Sequence, residues 1–65
     1  MDSKVAFLTK DKYGCVELWP SQPVKEDGAW YEKKGSNEVG SEILDGLLDD
    51  YVEPGECVKI QITKI

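Results

Sequence analysis

Seven carboxylates lie between residues 38 and 56: Glu38, Glu42, Asp45, Asp49, Asp50, Glu53 and Glu56. No Lys interrupts them, and the chain has no His and no Arg. Acids at this density offer three kinds of chemistry. A pair such as Asp45 and Asp49, at helical spacing, could divide general acid and base work. Glycosidase-type catalysis, however, needs a cleft that desolvates one of the two acids, and a chain of 65 residues rarely builds one. Asp45, Asp49, Asp50, Glu53 and Glu56 are also hard oxygen ligands that suit Ca²⁺ or Mg²⁺. The Asp-x-Asp-x-Asp-Gly spacing of an EF-hand is absent, so a solvated acidic face is the simpler reading. Finally, a row of carboxylates on a rigid body can imitate the phosphates of a nucleic acid and enter a basic groove, because complementary fields speed encounter.

The missing residue types narrow the choice. Without His, no Ser–His–Asp or Cys–His arrangement can form within the chain, and without CxxC the common zinc patterns are absent too. Cys15 and Cys57 are far apart in sequence. Joined, they would close a loop of about forty residues, worth roughly 4 kcal/mol in the chain-entropy model. With no export signal, reduced thiols are the expectation. The reading is of a protein that is not an enzyme and uses no cofactor or metal.

Charge is unevenly distributed. The first 37 residues hold as many Lys as acids, and the tail 57–65 holds two Lys and no acid, so the net charge of −5 is the −7 of segment 38–56 offset by the +2 of the tail. Direct nucleic-acid binding is disfavoured, because it depends on Lys and Arg releasing counterions from phosphates. Lys10, Lys12, Lys33 and Lys34 read as solvated loop residues. With 40% hydrophobic and 32% charged residues, the chain fits one small globular domain, 1–65. It has no apolar run long enough to span a membrane. Met1-Asp2-Ser3-Lys4 does not resemble a secretory signal, which makes a cytoplasmic location the expectation.

The elements that must carry these residues can be read from periodicity. Lys4–Thr9 is a continuous apolar run that suits a strand covered on both faces. Lys10–Gly14 reads as a hairpin turn with Gly14 at positive φ, and Cys15–Trp19 as the return strand, ended by Pro20. Residues 21–28 form a connector with a turn at Asp27-Gly28, and Ala29–Glu32 a short third strand. Ile43, Leu44, Leu47, Leu48 and Tyr51 share one helical face, with Ser41 as N-cap and Gly46 costing about 1 kcal/mol inside. The alternative is a strand from Glu38 to Leu44 followed by one helical turn capped by Asp45. Cys57–Ile65 alternates strictly: Val58, Ile60 and Ile62 on one side, Lys59, Gln61 and Thr63 on the other. The predicted fold is α+β, a three- to four-stranded antiparallel sheet with one short helix. The first strand is central and the last lies beside it.

Trp and Tyr anchor many interfaces and also fill small cores. Trp19 is expected in packing, under the 20–28 connector. Of Trp30 and Tyr31 one must face outward, because neighbours on a strand alternate.

The order Phe7-Leu8-Thr9-Lys10-Asp11-Lys12-Tyr13-Gly14, Val16-Glu17-Leu18-Trp19, Gln22-Pro23-Val24-Lys25, Gly28-Ala29-Trp30 and Glu53-Pro54-Gly55-Glu56-Cys57-Val58-Lys59-Ile60 resembles small proteins of unknown function from bacteriophages, prophages and mobile elements. The resemblance implies a bacterial cytoplasmic setting and a host protein as target, but no ligand or catalytic residue. The expected function is therefore a non-enzymatic, acidic interaction protein of phage accessory type. It would bind a protein partner, in particular one with a basic groove, through Trp30, Tyr31, Asp45, Asp49, Asp50 and Glu53. The alternative is a nucleic-acid mimic that blocks a DNA- or RNA-binding protein. A homodimer through a strand edge is a third possibility.

Overall fold

In the computed structural model, which describes residues 3–35, 40–44 and 46–65, the chain runs β1 (Ser3–Lys10), β2 (Val16–Trp19), β3 (Val24–Glu26), β4 (Ala29–Tyr31), β5 (Glu42–Ile43) and β6 (Cys57–Thr63). One 3-10 turn, Asp49–Tyr51, lies between β5 and β6. Four strands form an antiparallel sheet in the order β5-β2-β1-β6, while β3 and β4 make a separate hairpin. As its continuous apolar run predicts, β1 is an interior strand with β6 beside it.

Residues paired across an antiparallel ladder project from the same face. One face therefore collects Ala6 with Ile60, Leu8 with both Leu18 and Val58, and Lys10 with Val16. Leu8, Val16 and Val52 are its buried centre, with Leu18, Leu44, Leu48, Val58 and Ile60 packed around them. The opposite face collects Phe7 with Trp19 and Thr9 with both Glu17 and Cys57. There Trp19 and Thr9 are buried, and the Trp19 Nε1–H donates to Thr9 Oγ1 at 2.9 Å. Burial of Leu8 on one side and Thr9 on the other is what a strand covered on both faces requires.

The predicted helix is absent, and the fold is all-β rather than α+β. Two left-handed residues break the 41–51 segment, Gly46 at φ 77° and Leu48 at φ 65°. A helix cannot pass through such residues, and for a leucine the conformation is itself costly. The start of the segment extends the sheet instead. β5 pairs with β2, and the Leu44 N–H continues the ladder to the Val16 carbonyl at 2.9 Å. The apolar residues that share a helical face on paper are split. Leu44, Leu48 and Val52 point into the core, whereas Ile43, Leu47 and Tyr51 are exposed. The alternative of a strand ending near Leu44 and then a single helical turn describes the segment better. Its Glu38 start and Asp45 cap lie outside the described residues, and the 3-10 turn is entered through Leu48.

The 21–28 connector also holds more order than expected. Val24–Glu26 is a strand, and Asp27 (φ 52°) and Gly28 (φ 79°) join it to β4. Positive φ at both central residues is the two-residue hairpin turn that matches strand twist. Cys15 and Cys57 are both thiols. Thr9 of β1 pairs with Glu17 on one side and Cys57 on the other, so Cys15 lies two strand spacings across from Cys57 and two residues further along, beyond disulfide reach.

Candidate functional site

The segment 43–56 carries most of the acids predicted to act, and its shape follows from how it is fastened. After the β5 ladder the chain turns at Gly46 and Leu48, and the Tyr51 N–H closes the 3-10 turn on the Leu48 carbonyl at 3.0 Å. Val52 then drops into the core in extended conformation, 1% exposed. A second turn follows. The Glu56 N–H bonds the Glu53 carbonyl at 2.9 Å, and the Glu56 carboxylate accepts the Glu53 N–H at 3.1 Å. The Gly55 N–H ties this turn to the Lys10 carbonyl at 2.8 Å. With Leu44, Leu48 and Val52 turned inside, Ile43, Leu47 and Tyr51 face water. Ile43 is 67% exposed, Leu47 61% and Tyr51 70%. The result is a ridge on which large apolar side chains stand among the exposed acids Glu42, Asp49, Asp50 and Glu53.

Two lysines are built into this ridge. Lys10 Nζ donates to the Asp49 carbonyl at 3.0 Å, and Lys25 Nζ to the Gly55 carbonyl at 3.2 Å. Each ammonium group thus ties a backbone carbonyl of this segment to a strand, Lys10 to β1 and Lys25 to β3.

Of the predicted site residues, Asp49, Asp50 and Glu53 lie in this one segment and are all exposed. Asp45 lies outside the described residues. Trp30 is not an outward anchor. It is half-buried, its Nε1–H donates to the Lys10 carbonyl at 3.2 Å, and the Lys25 ammonium stands 6.0 Å from its ring centre. It therefore ties β4 to the end of β1 and lies beside the Lys25 ammonium. Tyr31, opposite Val24 in the β3–β4 ladder, is the outward member of the pair, 54% exposed. The outward role of Ile43, Leu47 and Tyr51 escapes sequence reasoning, because their spacing suits a helix. The one signal against a helix is Gly46 within the run.

Sequence reasoning also misses a cluster on the other hairpin. Ligand atoms of Asp11, Cys15 and Glu17 lie within 4.8 Å of one another. Among the described residues this is the group spaced as metal ligands are, rather than the acids of 49–56. Both carboxylates already hold structure. Asp11 Oδ1 accepts the N–H groups of Tyr13 and Cys15, each at 2.9 Å, which closes the β1–β2 turn. Glu17 Oε2 accepts the Ser41 hydroxyl at 2.6 Å, which pins the approach to β5. Burial pushes the Cys57 thiol above its ordinary pKa, which disfavours the nucleophilic thiolate. An open depression of about 340 Å³ lies over Ala6, Leu18 and Ile62, with Lys4 and Glu42 as its charged lining. A single carboxylate there gives no acid–base pair. Among the described residues, no helix is long and apolar enough to cross a membrane.

No family model matches this chain, and no curated protein or solved structure proves similar to it.

Proposed function

We propose that this is a non-enzymatic interaction protein that seats the 43–53 ridge in an apolar groove with a basic rim on a protein partner. The exposure of Leu47 and Tyr51 among Asp49, Asp50 and Glu53 carries this reading. Large side chains held out of a small core by anchored neighbours supply the desolvated contact that gives interfaces their affinity. The carboxylates around them choose a cationic rim and speed encounter. In the setting implied by the likeness to phage and prophage proteins, the partner is a host protein in the bacterial cytoplasm, and the chain is an accessory factor.

The test is capture of partners from bacterial lysate at low and high salt, by the parent chain and two variants. A ridge that binds through its apolar residues keeps its partner at high salt and loses it on Leu47→Ala with Tyr51→Ala. A nucleic-acid mimic behaves oppositely, with capture falling steeply with salt and failing on Asp49→Asn with Asp50→Asn. Capture that both variants leave intact excludes the ridge as the binding surface.

A further inference from the structure

Among the described residues, no strand pairs with the outer edge of β6. β6 ends the strand order, and its ladder to β1 runs unbroken from Cys57 to Thr63, with no bulge and no Pro. Edges of this length are normally shortened, kinked or covered, because they invite another strand. The opposite edge follows that rule, since β5 has two residues. We infer that β6 pairs antiparallel with β6 of a second copy, with Ile60 on the two-fold axis, so that the two sheets join into one.

Symmetry and charge select this register. A two-fold axis normal to the sheet keeps each side chain on its own face, so one residue of β6 must stand opposite its own copy. With Lys59 on the axis, two ammonium groups would abut. With Gln61 on the axis, Val58 would face the partner's Lys64 and Cys57 the partner's Ile65. With Ile60 on the axis, Val58 meets the partner's Ile62, Lys59 meets the partner's Gln61, and Glu56 meets the partner's Lys64. The last pairing occurs twice by symmetry and is between opposite charges. Both its members are exposed. The same register extends the apolar stripe of Ala6, Leu8, Val58 and Ile60 across the junction and covers Ile62, which is 47% exposed in the single copy.

The ridge and β6 are different surfaces, so the inference stands apart from the proposed function. Sedimentation equilibrium at low ionic strength tests it. The parent chain should show a concentration-dependent dimer. Lys64→Glu alone places like charges at both pairs, as does Glu56→Lys alone, and each should weaken the dimer by about tenfold. An equimolar mixture of the two variants restores both pairs and should recover a heterodimer of parental affinity. That recovery also shows that neither variant has lost its fold. Leu47→Ala with Tyr51→Ala should leave the dimer unchanged. A parent chain that stays monomeric to millimolar concentration overturns the inference. So do single reversals without effect, or a mixture no tighter than its components.

Discussion

The Trp19 indole N–H donates to the Thr9 hydroxyl at 2.9 Å between β2 and β1, with Thr9 0% and Trp19 6% exposed. The bond lets a small protein bury its largest side chain without leaving a polar atom unpaired. Thr9→Val keeps the shape and removes the acceptor, which strands a buried donor and should cost about 1–3 kcal/mol. A domain of this size holds about 3–10 kcal/mol in all, so the urea midpoint should fall visibly. Thr9→Ser keeps the acceptor and should lose less. Equal losses in the two variants would mean the bond contributes nothing.

Gly46 separates the observed backbone from a helix by the sign of one substitution. Its φ of 77° is left-handed, and open space surrounds the position where a Cβ would stand. Gly46→Ala should therefore destabilise through backbone strain alone, by about 1 kcal/mol. In a helix the same change would stabilise by a similar amount. A rise in melting temperature would refute the left-handed turn.

The inward and outward division of 43–52 makes a paired prediction. Leu44→Ala and Val52→Ala withdraw side chains from the core around Leu8 and Val16 and should each cost about 1–4 kcal/mol. Ile43→Ala and Leu47→Ala touch exposed positions and should stay within about 0.5 kcal/mol. Denaturant unfolding of the four variants reads this directly, and equal costs across the set would contradict the packing.

Burial of Cys57 gives a pH dependence whose sign can be worked out. Desolvation raises the folded thiol above its ordinary value of 9.0. As pH climbs through that value, the unfolded chain loses the proton while the folded protein keeps it. The unfolded state then binds fewer protons, so stability falls with rising pH. The contribution is complete below the ordinary value and is lost as pH rises toward the folded one. Cys57→Ala should make the drop in urea midpoint between about pH 8 and about pH 10.5 shallower. An unchanged slope would assign the drop to other groups.

What the sequence alone determined is the set of features with a local cause. Strict alternation gives β6, and the two-sided apolar run gives β1 its interior place. Gly14 and the Asp27-Gly28 pair mark turns because they tolerate positive φ. The absence of His and Arg removes whole classes of chemistry. Tertiary structure decided whatever depended on a competing partner. Ile43, Leu44, Leu47, Leu48 and Tyr51 satisfy a helical face and a pinned loop equally well on paper. Backbone hydrogen bonds offered by the edge of β2, with room in the core for Leu44, Leu48 and Val52, favoured the loop. The same holds for Lys10 and Lys25. No periodicity signals that their ammonium groups reach carbonyls 39 and 30 residues away in sequence. Such contacts join distant segments, and only the folded chain brings those segments into reach.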